Sequence, residues 1–344
     1  MYYLFFVCFL FCIINMGDSM NNDSLFERKV IKDKLELDRI KSRLEEISTT
    51  RSSLATKDER IMYDLKTKEE ANELMSQVRN GIVIDDIPYK EEIFSNIYSF
   101  FGQFGVSLED VTSMTSEIEF FVSDINLGYG GKLVHACDRI GVDASYVNFD
   151  EKGTFVGFKE ELKDFFIHTF THEFLHKMSF KEDGKDIVVL DDPIIEGFTE
   201  VFAHMVSSKR DVVSDTYEFP EKVCELFTEM MGLDKAVDDY LHHNQSRPNL
   251  HNLFLECGCE DFALFSKQLS DVMNGVRRDK ANGVTSCFAL DEKDACLAFL
   301  RDNILIPYCS KNSERSSGIL DKFNSLFGQY GYICSTEDVK ESKK

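Results

Sequence analysis

Thr171-His172-Glu173-Phe174-Leu175-His176 is the stretch on which the reading of this chain turns. It lies within Lys159 to Phe180, a run that predicts one long helix. Four residues make slightly more than one helical turn, so His172 and His176 project from the same face. Two imidazoles so placed can bind one Zn2+. Glu173 stands about 100° around the helix from His172. That puts its carboxylate beside such an ion, where it can take a proton from an attacking water. Phe166, Phe170, Phe174 and Met178 fall on the opposite face. A helix with its back in the core and its front in a cleft needs that arrangement. With eight His in the chain, an HExxH arises by chance roughly two times in a hundred, so the motif calls for a second feature.

Two imidazoles leave zinc short of a third protein ligand. Asp192-Pro193 reads as a helix start. Along the helix that follows, Glu196, Glu200 and His204 share one face, and Phe198, Val201, Phe202 and Met205 share the other. Taken alone, this pattern is also that of an ordinary amphipathic helix with a solvated acidic face. Asp183, Asp191 and Asp192 are alternative ligands to Glu196.

The two segments together resemble the gluzincin metallopeptidases, the clan of the thermolysin-like and aminopeptidase families. Their pattern is HExxH followed by a Glu on the next helix, often written EGxTE, and Glu196-Gly197-Phe198-Thr199-Glu200 is similar to it. Nineteen residues separate His176 from Glu196, a spacing similar to the thermolysin-like one. The resemblance implies that His172, His176 and Glu196 hold Zn2+, that Glu173 is the catalytic base, and that Glu200 fixes the tautomer of His172 from its far side. It covers His172 to Glu200 with flanks.

The chain also departs from the pattern. Ile195 stands where many relatives have Asn, and no Tyr or His lies between His176 and Glu196. A transition-state donor must therefore come from further on. Tyr240, His242, His243 and His251 are candidates, and Tyr240 is chosen. Metzincins are excluded, because Ser179 replaces their Gly and Glu182 their third His. His168 and His204 read as packed helix residues. His242, His243, His251, Cys257 and Cys259 match no standard zinc spacing. Gly128, Gly130 and Gly131 precede Lys132 without the spacing of a phosphate loop.

The chain has 344 residues, 43% of them hydrophobic with 30 Phe, enough for a sizeable core. Its formal charge of −22 repels nucleic acid and anionic lipid. Residues 1–20 open with an uncharged apolar run that is short for a spanning helix. It reads as a signal peptide or membrane anchor, so secretion or membrane attachment is expected, with a cytoplasmic location as the alternative. Outside that run eight Cys remain, compatible either with disulfides or with buried thiols.

Residues 21–81 are highly charged and helical. Leu37, Ile40, Leu44, Ile47, Leu54, Ile61 and Leu65 follow coiled-coil steps with gaps at Arg51 and Asp58. A short or broken coil, a stalk or a hairpin fits, with coiled-coil self-association as one use. Asn80-Gly81 marks a boundary. Helices are expected at 89–103 and 107–123, and a hairpin at Ser145–Phe149 and Thr154–Phe158 around Asp150-Glu151-Lys152-Gly153. The expected class is α+β, mostly helical, with a zincin-like core at 82–210 and a helical C-terminal domain at 211–344. Peptide or protein substrates are the expected partners. By the same resemblance an extended substrate would pair with the hairpin. The alternative is a non-catalytic zinc-binding protein that uses the coil for interactions.

Overall fold

The computed structural model describes residues 33–341 apart from 55, 85–88, 116–117, 124–131, 135–138, 180, 183–184, 187–191, 210–215, 244–245 and 285–286. The expected leader at 1–20 lies outside the described residues. Among them, no helix is long and apolar enough to cross a membrane. Contacts divide the chain into two units, the first ending at Ile82 and the second beginning at Val83. The division falls beside the Asn80-Gly81 turn, where Gly81 takes the left-handed φ of 63° that a side chain would disfavour. The second unit is not divided further.

The first unit is a helical hairpin, α1 (Lys34–Ser53) and α2 (Lys57–Asn80). Asp33 caps α1 by accepting from the Glu36 N–H at 2.8 Å. The break between the helices has a local cause. Thr56 and Glu59 form a reciprocal capping box, in which each side chain accepts from the other's backbone N–H. The helices run antiparallel, as Arg43–Glu70 and Arg51–Asp64 pairs show. Such exposed pairs contribute about 0.5 kcal/mol each. Leu37, Ile40 and Ile47 are buried, but Ile61 and Leu65 are 46% and 66% exposed. The coil steps read from the sequence therefore stop at the break. A capping box restarts the helix at a new rotation, which carries Ile61 and Leu65 off the buried stripe.

From Ile82 onward the chain builds a small sheet and a set of helices. β1 (Ile82–Ile84) is followed by α3 (Lys90–Phe101), α4 (Leu108–Thr115), β2 (Glu119–Ser123), β3 (Lys132–Val134) and β4 (Arg139–Asp143). The strand order is β1-β2-β4-β3. β2 and β4 are parallel, with Phe120 opposite Ile140 and Val122 opposite Val142. β3 lies antiparallel on the outer side of β4. The helix expected at 107–123 thus ends at Thr115, and its last part is a strand. Phe120, Phe121 and Val122 are an aromatic and β-branched run, 2%, 4% and 0% exposed. A strand buried on both faces shows no alternation to mark it. The expected hairpin forms as β5 (Val147–Phe149) and β6 (Phe155–Phe158), a separate two-stranded ribbon.

α5 (Lys163–Ser179) carries the HExxH segment, entered through a 3-10 turn at Glu160–Leu162. Its apolar back rests on the sheet and hairpin. Phe170 meets Phe120 edge-on at 5.4 Å, Phe174 meets Phe94 at 5.0 Å, and Phe166 lies 4.0 Å from Phe158. Phe166, Phe170 and Phe174 have no exposed surface. Burying each contributes about 2–3 kcal/mol, and each ring pair about 1 kcal/mol more. A short ribbon, β7 (Lys181–Glu182) with β8 (Lys185–Asp186), leads to α6 (Pro193–Ser207). Then come α7 (Glu218–Met231), α8 (Leu233–His242), α9 (Pro248–Cys257), α10 (Phe262–Ala281) and α11 (Leu290–Leu300). α12 (Ile306–Lys311), α13 (Ser316–Phe327) and α14 (Thr336–Glu341) close the described chain.

The repeated Phe-Gly-Gln-aromatic-Gly segments at 101–105 and 327–331 adopt the same local form. Each ends a helix in a 3-10 turn closed by a left-handed Gly105 or Gly331. Each is followed, two or four residues on, by a Ser whose hydroxyl donates to the Asp three residues further and accepts from that Asp's N–H, Ser107–Asp110 and Ser335–Asp338. Of the expected cysteine states, the described residues show free thiols at Cys224, Cys257, Cys259, Cys287, Cys296, Cys309 and Cys334.

Candidate metal centre

α5 and α6 lie side by side and antiparallel, so their four-residue ladders face each other. His168, His172 and His176 meet Glu200 and Glu196 in reverse order. The local sequence sets this register. Asp192 caps α6 by accepting from the N–H groups of Ile194 and Ile195 at 2.9 and 3.2 Å, and Pro193 opens the first turn. Glu196 then sits one turn in, its N–H bonded to the Asp192 carbonyl. The other carboxylate oxygen of Asp192 is ion-paired with Arg247, which is buried. Asp192 is thus engaged as a cap. Asp183 and Asp191 lie outside the described residues.

Three ligand atoms converge. His172 Nε2 and His176 Nε2 are 2.9 Å apart, and Glu196 Oε2 lies 3.4 and 3.2 Å from them. The opposite ring nitrogens decide what this cluster wants. His172 Nδ1 is 2.7 Å from Glu200 Oε2, an acceptor only, so that nitrogen carries the hydrogen. His176 Nδ1 is 3.4 Å from the Thr199 hydroxyl. That hydroxyl gives its single hydrogen to the Ile195 carbonyl at 2.8 Å, and so accepts from His176. Both Nε2 atoms then turn lone pairs toward each other and toward a carboxylate oxygen. Three acceptors this close repel unless a cation lies among them. The donor set, two imidazoles and one carboxylate, suits Zn2+ with a fourth position open.

The electrostatics agree. Burial alone would raise the Glu196 pKa, but His176 and His172 overcome it and hold the carboxyl well below the usual range. Burial likewise acts to raise Glu200, and the hydrogen bonds from His168 and His172 drive it well down. Burial lowers the His172 pKa, and Glu196 and Glu200 more than reverse that. Histidine ligands bind a metal in their neutral form, so metal binding at such a cluster competes with protons. Glu173 is 8% exposed, and its charge bears on both His172 and Tyr240.

Tyr240 is 1% exposed, and its hydroxyl is 2.9 Å from the Thr199 hydroxyl. It therefore stands on the Nδ1 side of His176. α8 turns the ring into the core, where it lies 5.0 Å from Phe202. Among the other candidates, His242 and His251 are exposed, and His251 packs on Phe262 at 4.2 Å. Those histidines form no metal-capable group with Cys257 and Cys259 among the described residues.

Three features of the site went unread in the sequence. Tyr217, half-buried, stacks on the His172 ring at 5.6 Å with 15° between planes. Arg247 clamps the cap of α6. Gly197 is where α7 comes closest: a Cβ there would stand 2.5 Å from the Pro220 carbonyl oxygen and 2.6 Å from Cys224 Sγ. Only Gly lets α7 pack this tightly on the helix that carries Glu196. Gly197→Ala is expected to cost about 2 kcal/mol by overpacking, read as a fall in the denaturant midpoint. An unchanged midpoint would show that α7 yields without strain.

Compared with family models, with curated proteins and with solved structures, the chain finds no match.

Proposed function

We propose that the second unit is a zinc-dependent peptide hydrolase of the gluzincin type, with a zincin-like core. The observation that carries this is the meeting of His172, His176 and Glu196 through three acceptor atoms within 3.4 Å. The helix holding the two imidazoles also holds Glu173 at the adjoining position. His172, His176 and Glu196 hold the zinc ion. When bound there, zinc lowers the pKa of a water toward about 7 and polarises the substrate carbonyl.

The chain's own residues supply the rest. Glu173 takes the proton of the attacking water and passes it to the leaving amine. Glu200 keeps His172 in the tautomer that presents Nε2. Thr199, with Tyr240 behind it, orients His176 in the same sense. The sheet beneath α5 supports this reading: its outer strand β3 is antiparallel to β4 and lies against α5. An extended peptide can pair along such a strand. β3 thus takes the role that the sequence reading gave to the β5–β6 hairpin, which stands outside the four-stranded sheet.

The test is hydrolysis of a mixed peptide library with and without a chelator. The proposal requires cleavage that the chelator stops and added zinc restores. Chelator-resistant cleavage, or none with zinc bound, rejects it.

A further inference from the structure

Glu200 faces a second set of groups that the hydrolytic reading leaves unused. Its Oε1 lies 3.1 Å from His168 Nε2, while its Oε2 accepts from His172. Beyond it, His168 Nδ1 is 3.3 Å from Ser207 Oγ, and the backbone N–H of Lys209 donates to that same oxygen at 3.3 Å. His168, Glu200 and Ser207 are all buried.

The hydrogens along this chain can be assigned from what each group is able to do. The Glu200 carboxylate only accepts, so His168 Nε2 carries a hydrogen; Nδ1 of that tautomer is an acceptor, and Ser207, which accepts from the Lys209 N–H, gives its own hydrogen to it. His168 is then the Nε2–H tautomer and donates to Glu200 Oε1. A carboxylate only accepts, so Glu200 Oε2 takes the Nδ1–H of His172, and His172 Nε2 faces Glu196 and His176. The donors converge on Glu200, from Ser207 through His168 on the side of the C-terminal end of α6 and from His172 on the side of the metal centre. With both oxygens bonded, the Glu200 carboxylate cannot turn away from His172.

We propose that His168 is a positioning residue for the metal centre: bonded between Ser207 and Glu200, it locks the carboxylate that fixes the tautomer and orientation of His172. This rests on the reading of His172, His176 and Glu196 as metal ligands.

A rival use of the same groups is a second ion bound by His168, Glu200 and His204, whose ligand atoms lie within 4.8 Å of one another. The ring geometry opposes it. His168 and His204 stack face to face, centroids 4.5 Å apart with 28° between planes. An imidazole binds an ion in its ring plane, and two stacked rings do not share such a point. Turning His204 would break its 2.6 Å bond from Nδ1 to Glu221.

The experiment titrates zinc against a chromophoric chelator in the full chain, for wild type, His168→Leu, His168→Gln and Ser207→Ala. Thermal midpoints are taken with and without zinc. His168→Leu is expected to weaken zinc about tenfold, the lower end of losses seen when a partner behind a metal-binding histidine is removed. Ser207→Ala should weaken it less, and His168→Gln should recover most of the affinity, because its amide can still donate to Glu200. The gap between zinc-bound and zinc-free midpoints should narrow in His168→Leu. A purely structural role would lower both midpoints together and would overturn the proposal, as would wild-type zinc affinity in both His168→Leu and Ser207→Ala. Two zinc ions in the wild type falling to one in His168→Leu would overturn it in favour of direct ligation. If His168→Leu does not fold, Ser207→Ala decides. A wild type that binds no zinc sinks the metal centre itself, whereas a zinc-replete wild type with indifferent variants sinks only the role of His168.

Discussion

Glu173→Gln is expected to lower peptide hydrolysis by about 10²–10⁴-fold, the contribution of a positioned general base, while zinc stays bound. Gln keeps the volume and one oxygen of Glu but cannot take a proton from the attacking water. Glu173 is not among the three converging ligand atoms, so its replacement leaves the donor set whole. The loss should fall on kcat and kcat/KM alike, because the proton transfer belongs to the transition state. Zinc content measured on the same preparation separates this from simple loss of metal. Unchanged hydrolysis with zinc present would remove Glu173 from the mechanism. A loss that tracked the zinc content would reassign it to the metal's environment.

Asp192→Ala is expected to be the costliest substitution outside the three proposed metal ligands. Losing the cap of α6 costs about 1 kcal/mol. Leaving the buried Arg247 guanidinium without its carboxylate costs about 3 kcal/mol more. Together these are a large part of the ~5–15 kcal/mol that holds a protein folded. Asp192→Asn keeps a capping oxygen and removes the charge, so it should retain the capping share and lose the ion-pair share. Because Glu196 begins one turn after Asp192, the Ala variant should also bind zinc more weakly. Denaturant midpoints and zinc titration of the two variants check this. Equal midpoints for Ala and wild type would show that neither the cap nor the pair matters.

What could be read in the sequence was local, and the reason is periodicity. His172 and His176 on one helix, Glu196 and Glu200 on the next, and the Asp192-Pro193 start all follow from helical spacing and capping chemistry within a few residues. The hairpin at 145–158 was legible for the same reason. The sheet was not. β1 and β3 are three residues each, and they exist because β2 and β4 lie between them. The segment Phe120–Val122 is buried on both faces and lacks the alternation that marks a strand.

Contacts made across the fold were equally silent. Glu200 binds His168 across 32 residues, Thr199 meets Tyr240 across 41, and Arg247 reaches Asp192 across 55. The four-residue step from His168 to His172 was in plain view, yet its use depends on which helix packs opposite. The hydrophobic repeat, already interrupted at Arg51 and Asp58, ends at Thr56–Glu59, where a capping box opens the second helix of the hairpin.

The central claim is that His172, His176 and Glu196 together hold one metal ion. Its most direct test is the metal content of the purified protein beside that of His176→Ala, both after dialysis against zinc-free buffer. The account predicts about one zinc per chain in the wild type and little in the variant. Metal-free wild-type protein, or equal zinc in both, would contradict it.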